Sequence, residues 1–572
     1  MGVYGGDSGA NTLTGNGADT IYGNGGDDII SSGNDDDALI GGTGNDTLTG
    51  GSGKDIFVID SYRFDKDVIT DFLIGTDKLD LSALGMADIA TITPYLSQIG
   101  NDVVLSIAIA GDVQSVTLQN IKLADLLASP GSFVFNPLAD QVIWEGTSAR
   151  DVLFGGKGAD VLRGFSGNDD LNGGAGSDVL DGGFGDDLLR GGAGKDVFAF
   201  GDRQFGSDTI KDFVLGTDRI DLRVFGIGDM ATLTPYLSQI GNDVVIQTAF
   251  GGNREAITIA NVTIADLLAH PAAFIFNTAK APLVVNGTEG SDVLFGGRGA
   301  DALFGGNGSD DLDGGAGNDI LHGDAASDSL RGGAGNDLFV FDGRQFGKDS
   351  VVDFTLGKDR IDLRNLGVSD IAMLQPFMSQ IGNDVVIKTF FGGEQESITI
   401  RGASLATLSA SPDAFVFNTA ADKLVVGGTN SNDMLFGGKS ADTLFGYAGF
   451  DTLVGGKGND IFIGGAGDDT LYGGLGADRF VLGVDDGYDT IMDFSHAQKD
   501  RIDLRSIDPG AEYGDQKLTV VSGDFTAAGQ VSLFTHGGIT TIYLNLDDNL
   551  KTNEIAIDVH SDAAFTVADI LL

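Results

Sequence analysis

Across residues 146–199 a large apolar side chain returns at every ninth position: Leu153, Leu162, Leu171, Leu180, Leu189 and Phe198. A continuous helix would carry successive members of such a series to opposite faces, and so would a continuous strand, because nine is odd. The chain must therefore turn within each nonapeptide. The six segments read GTSARDVLF, GGKGADVLR, GFSGNDDLN, GGAGSDVLD, GGFGDDLLR and GGAGKDVFA. Glycine at positions 1, 2 and 4 permits the positive φ of a tight turn and leaves backbone carbonyls unshielded. Positions 7–9 predict a very short strand whose middle residue points inward. Two nonapeptides then make one coil of about eighteen residues, and successive coils stack as parallel strands around a narrow apolar core. One coil cannot bury that row alone, so several must stack before any is stable.

The block recurs. A first set, one residue short early on, fills 6–58; further sets fill 287–340 and 428–481. Blocks two to four start at 146, 287 and 428, a period of 141 residues. Spacers of 87 residues lie at 59–145, 200–286 and 341–427, and are copies of one another: TPYLSQIGNDVV at 93–104 returns at 234–245 and as QPFMSQIGNDVV at 375–386. A divergent last segment runs from 482 to 572. Alternation in VITDF, NDVVI and ESITI predicts strands, while LADLLAS and IADLLAH predict one or two helical turns. The expected architecture is all-β: parallel β-roll blocks alternating with β-rich spacers in four tandem modules, 1–145, 146–286, 287–427 and 428–572.

At position 6 the repeats hold Asp19, Asp28, Asp37, Asp46 and Asp55 in the first block, and Asp151, Asp160, Asp169, Asp178, Asp187 and Asp196 in the second. The third holds Asp292, Asp301, Asp310, Asp319, Asp328 and Asp337, and the fourth Asp433, Asp442, Asp451, Asp460, Asp469 and Asp478. Asn11 stands at this position in the imperfect first repeat. Stacking brings these carboxylates close enough to repel, unless a hard cation lies between them. Calcium accepts 6–8 oxygens at about 2.3–2.6 Å, from carboxylates and carbonyls alike. Magnesium demands a tighter octahedron, and zinc and copper prefer nitrogen or sulfur. The five histidines, His270, His322, His496, His536 and His560, are scattered and read as surface or strand residues.

The nonapeptide resembles the RTX (repeats-in-toxin) family, a resemblance that implies the same assignment: each position-6 aspartate a calcium ligand, with roughly 16–20 ions in a stacked array of this kind. In RTX proteins a segment similar to KDVITDFLIGTDKLDL, SDTIKDFVLGTDRIDL and KDSVVDFTLGKDRIDL follows the repeats and continues the roll. In the second spacer its Asp208, Asp212, Asp218 and Asp221 read as strand-end and turn residues capping the last coil, with added calcium ligation as the alternative. The last segment, with DRIDLRSID and AGQVSLFTHGG, is similar to the C-terminal part of serralysin-type RTX domains. There the C-terminus directs type I secretion and ends in an acidic residue before apolar ones, as do Asp569, Ile570, Leu571 and Leu572.

Composition narrows the function. With 34 Lys+Arg against 83 Asp+Glu the formal charge is −49, which argues against nucleic acid or an anionic membrane surface as partner. The 42% hydrophobic content and the fixed phase of the acids argue against a disordered acidic chain once calcium is present. There are no cysteines, as expected of a secreted chain held by metal in place of disulfides. The start, MGVYGGDSGA, has neither the basic nor the apolar stretch of a signal peptide, and no apolar run would span a bilayer. No H-E-x-x-H is present, and GGSGKD and GGAGKD lack the Lys-Ser/Thr pair of a phosphate loop. The reading is a non-enzymatic extracellular protein that folds on calcium, of surface-layer, matrix or adhesin type, with cell-surface polysaccharide or self-assembly as its partner. The alternative is the non-catalytic RTX region of a larger secreted protease-like or polysaccharide-epimerase-like enzyme. Tyr95, Tyr236 and Phe377, at equivalent spacer positions, are expected to pack inside.

Overall fold

The structure, a computed structural model, describes residues 2–136, 140–483, 486–507, 518–546 and 555–572. It divides into two compact units, Met1–Thr278 and Ala279–Leu572, each holding two rolls. The protein is all-β, with parallel sheets and only short helical turns.

The second roll, in the first unit, shows how the period of nine becomes structure. One sheet stacks Ile143–Glu145, Val161–Arg163, Val179–Asp181 and Val197–Ala199; the facing sheet stacks Val152–Gly156, Asp170–Gly176 and Leu188–Arg190. All are parallel, and Val161 pairs Val179, which pairs Val197, one coil of eighteen residues per step. Most strands are three residues long because only position 8 of each nonapeptide faces inward. Leu162, Leu171, Leu180, Leu189 and Phe198 are wholly buried, in alternate order from the two sheets. Each roll opens one strand before its first nonapeptide: Ile143–Glu145 pairs Val161–Arg163, and Val284–Asn286 and Val425–Gly427 do the same in the second unit.

The spacers extend both sheets and close them. In the second, Ser207–Ile210 adds to one sheet and Arg219–Asp221 to the other. Asn253–Ile259 then pairs parallel to Ser207–Ile210 and turns antiparallel through Asp243–Phe250 and Leu237–Ile240. The helical turns sit where the apolar pattern predicts them, at Leu123–Leu127 and Ile264–Ala269. The latter is fixed by a Thr263–Asp266 capping box. The divergent last segment repeats the plan: Ile555–Ser561 joins Tyr488–Phe494, and Ile570–Leu571 pairs Ile502–Asp503 to finish the other sheet.

Inside each unit the hairpin of one spacer reaches the start of the following roll. In the first unit Gly111 N donates to Arg150 O at 2.8 Å, and Tyr95 packs edge-on against Phe154 at 5.1 Å. In the second, Gly393 N donates to Asn432 O at 2.9 Å, and Phe377 lies edge-on to Phe436 and Tyr472. Tyr95 and Tyr236 are buried and Phe377 half-buried, as expected of packing residues.

The coils lie so close that glycine is a steric requirement at some turns. At Gly176, with φ of +148°, an added Cβ would collide with the carbonyl oxygen of Gly158 on the preceding coil. At Gly131 a Cβ would meet nothing. Gly176→Ala should cost roughly 2–4 kcal/mol, strain and overpacking together, and Gly131→Ala within about 0.5 kcal/mol of zero. Thermal unfolding of the calcium-saturated variants measures the contrast.

Candidate metal centres

Every position-6 aspartate is buried. Two ladders run along each roll, because the backbone N–H of each aspartate donates to Oδ1 of the aspartate one coil later. Asp151 N reaches Asp169 Oδ1 at 2.8 Å, and Asp169 N reaches Asp187 Oδ1 at 2.7 Å. On the other edge Asp160 N reaches Asp178 Oδ1 at 2.8 Å, and Asp178 N reaches Asp196 Oδ1 at 3.0 Å. One oxygen of each carboxylate is thereby held.

The other oxygen is the informative one. Oδ2 is sealed from solvent and without a hydrogen bond in Asp28, Asp37, Asp46 and Asp55; in Asp160, Asp169, Asp178, Asp187 and Asp196; in Asp301, Asp310, Asp319, Asp328 and Asp337; and in Asp442, Asp451, Asp460, Asp469 and Asp478. Buried acceptors are rarely left so. Beside each lies the position-1 glycine, except at Asp37, where Ser32 takes that place. The point where a Cβ of Gly173 would stand is 2.5 Å from Asp178 Oδ2 and 2.7 Å from the Gly191 carbonyl oxygen. At Gly314 the corresponding distances are 2.7 Å to Asp319 Oδ2 and 2.8 Å to Gly332 O. A side chain there would collide with carboxylate and carbonyl oxygens alike, so the position-1 glycine lets the two kinds of oxygen converge along one edge of the roll. Donors of oxygen alone, partly anionic, suit calcium and not a softer metal.

Four members differ. Asp151 Oδ2 accepts from Thr147 N at 2.7 Å and Thr147 Oγ1 at 2.8 Å, while its Oδ1 accepts from Ala110 N at 2.6 Å. Thr288 and Thr429 engage Oδ2 of Asp292 and Asp433 in the same way. Asp19 accepts from Gly2 N and Asn16 N. Asp151, Asp292 and Asp433 open their blocks and Asp19 is the first aspartate of its own; the chain takes up both oxygens of Asp19, Asp151 and Asp433. Asn11 accepts from Asp7 N through its side-chain oxygen and is exposed to a cation in no comparable way.

The spacer acids divide. Asp212 accepts from Gly191 N at 3.0 Å and Gly192 N at 2.9 Å, capping the last turn; Asp218 joins Asp196 N to Val214 N; Asp221 pairs with Arg223. Asp208 instead continues the ladder: its Oδ1 accepts from Asp187 N at 2.9 Å and its Oδ2 is buried without a partner. Asp349 and Asp489 repeat that arrangement, and Asp67 accepts from Asp46 N. Reading by period alone misses this group, because three extra residues make the step 21 and not 18 from Asp187 to Asp208. The signal was the aspartate two residues before Ile in SDTIKDF.

Burial, reinforced by neighbouring carboxylates, drives these groups up. Asp196 and Asp187 rise to about 6, Asp169 and Asp178 to about 7, and Asp208 to about 9. Without metal, then, ionised carboxylates oppose the fold above about pH 9. Their penalty is relieved as pH falls through these values towards 3.8, where the unfolded chain also takes up protons. Metal-free protein should therefore gain β signal in circular dichroism on acidification from about pH 8 to about pH 5. Over the same interval the calcium concentration at half-folding should rise, since protons and calcium compete for the same oxygens.

Comparison with known proteins accords with this geometry. The family model described as the RTX calcium-binding nonapeptide repeat (4 copies) matches 145–180, 173–202, 286–321, 313–343, 427–462, 445–480 and 454–491. The model described as peptidase M10 serralysin C terminal matches 7–125, in the first module and not in the last segment, where the sequence motifs suggest that likeness. No curated protein matches. Among solved structures, two subunits of the mannuronan C5-epimerase of Azotobacter vinelandii are each 26% identical. They cover 24% and 25% of this chain and 94% and 83% of their own, with TM-scores of 0.21 and 0.18. The extracellular lipase of Serratia marcescens is 20% identical over 53% of this chain and 44% of its own, with a TM-score of 0.20. The chain carries RTX nonapeptide repeats, and such repeats bind calcium ions in multiple copies. Both matched regions are of non-catalytic kinds.

Proposed function

We propose that this is a secreted calcium-dependent protein that folds outside the cell and serves there as a structural or adhesive element, built from four tandem modules. The observation that carries the reading is the repetition of one roll-and-hairpin plan four times, each roll lined by buried carboxylates with a bare Oδ2. The ions would be held by those oxygens, by the equivalent oxygens of Asp208, Asp349 and Asp489, and by the glycine carbonyls facing them. Asp151, Asp292 and Asp433 would act mainly as block-opening caps, and Asp19 as the equivalent in the second repeat of its block. Calcium supplies the positive charge that lets stacked carboxylates be buried, so binding and folding are one reaction. Multiplicity suits an array that binds a surface weakly at each module and strongly as a whole. The export route would be type I secretion, and the target cell-surface polysaccharide or another copy of the chain. No helix among the described residues is long and apolar enough to cross a membrane.

A second reading draws on the match of 7–125 to a serralysin C-terminal region, which makes the chain the non-catalytic RTX part of a larger secreted enzyme. Intact mass of the native secreted species separates the two, since one well above 59.1 kDa favours the second.

Trp144 reports the coupling. It lies half-buried in Ile143–Glu145, edge-on to Tyr62 at 5.0 Å. In chelator its emission should be that of an exposed indole. Calcium should shift it to the blue together with the rise of β signal, and Asp178→Asn should raise the calcium needed, whereas Asp151→Asn should change it little. A native emission spectrum in chelator near neutral pH would refute the coupling.

A further inference from the structure

The third roll departs from its own repeat at three places that the fold brings together. The strands Ala302–Phe304, Ile320–His322 and Leu338–Val340 are parallel neighbours, with Phe304 paired to His322 and His322 to Val340. Two residues beyond each paired position the chain enters a turn, at Gly306, Asp324 and Asp342. The register therefore sets these three side by side, one coil apart. Other rolls hold Ile40, Gly42 and Asp60 here in the first; Asp181, Gly183 and Gly201 in the second; and Ile463, Gly465 and Gly483 in the fourth, with at most one carboxylate in each set. None of those sets combines an imidazole with two carboxylates.

We propose that His322, Asp324 and Asp342 form a site for a borderline transition-metal dication, zinc(II) by the chemistry of its donors, separate from the calcium ladders. One ligand atom from each lies within 4.8 Å of the others. His322 Nδ1 is 3.2 Å from Asp342 Oδ2, sealed from solvent, and oriented so that it makes no hydrogen bond. A buried ring nitrogen that faces a carboxylate without bonding it is placed as a ligand would be. The ring is held by Phe304, stacked on it at 4.5 Å, and the Asp324 carboxylate by Gly306 N–H at 3.3 Å. Such second contacts orient metal ligands. Zinc ligand bonds of about 2.0–2.1 Å put tetrahedral donors about 3.3 Å apart, so the present cluster closes by side-chain rotation. An open cleft of about 530 Å³, lined in part by Thr288, Glu289, Phe304 and Asp324, leaves room for water as a further ligand. Nitrogen and a low donor count disfavour calcium, which seeks six to eight oxygens.

The position gives the site a task. Asp324 and Ala326 both hold positive φ, +67° and +88°, in a turn where the repeat calls for glycine. Asp342 lies just past the last repeat strand, where the roll passes to Lys348–Val351 of the spacer. A metal bridging them would clip that irregular turn to the outgoing chain.

The test uses the full chain saturated with calcium, so that the ladders are filled, and titrates cobalt(II) as a spectroscopic probe with zinc as competitor. One equivalent of cobalt should bind with the visible absorption of a low-coordinate nitrogen/oxygen site, and zinc should displace it. His322→Ile and Asp324→Gly introduce residues that other rolls hold at the same places, and circular dichroism checks their calcium-dependent fold. Each should weaken cobalt binding by at least the roughly 10–100-fold that loss of an outer-shell partner costs. Asp342→Gly, also found in other rolls, is the third variant. The proposal is overturned if calcium-saturated protein takes up no cobalt, or if uptake is the same in His322→Ile as in the parent.

Discussion

A buried carboxylate with one oxygen bonded and the other bare is the constraint on which each roll depends. Taking an anion out of water costs several kcal/mol even after relaxation, and the ladders stack such anions coil upon coil. Leu180 and its equivalents fill a core only one residue wide, which cannot offset that penalty alone. The cation is thus part of the core in an energetic sense. The glycines follow from the same crowding, because at most position-1 places a side chain would collide with Oδ2 and with the facing carbonyl. The position-6 aspartates of these ladders contribute to the charge of −49.

The spacers complete what the repeats leave open. A last coil has backbone donors with no following coil to receive them. Asp208 and Asp218 supply those acceptors at distances of 2.9 and 3.2 Å, and Asp212 takes two glycine amides at once. The hairpin beyond widens one sheet into a broader apolar layer, around Val244, Ile246, Ile257 and Ile259 in the second spacer. Within a unit its tip then meets the opening turns of the following roll, through Ala110 and Asp151 in one unit and Gly392 and Asp433 in the other. The spacers are copies because they solve the same closure problem each time.

How much could be read beforehand depended on whether information sat in phase or in register. The nonapeptide phase marked Leu162 and Asp160 for their roles without any structure, since a fixed period needs no knowledge of distant contacts. Asp208 was harder, because a three-residue insertion breaks the count while its oxygen lands in the ladder all the same. The opening aspartates share the phase but not the environment: Thr147 satisfies Asp151, and a threonine in place of the second glycine carries no such meaning until the turn is seen. His322, Asp324 and Asp342 span some twenty residues, and only strand pairing makes them neighbours. The all-β plan was legible, whereas the division into the units Met1–Thr278 and Ala279–Leu572 was not, because it rests on packing between modules.

The ladder has a direction. In every step the N–H belongs to the earlier aspartate and the accepting Oδ1 to the later one, as from Asp160 to Asp178 to Asp196 to Asp218. Each aspartate amide is therefore satisfied by the following coil, while the next amide along donates back to the preceding one, as Val179 N does to Asp160 O at 2.8 Å. The last coil has no successor of its own kind, and the spacer supplies the acceptors it lacks through Asp208 and Asp218. The polarity of the ladder thus makes the two ends of a roll unlike: its far end needs borrowed carboxylates, and its near end has carboxylates to spare.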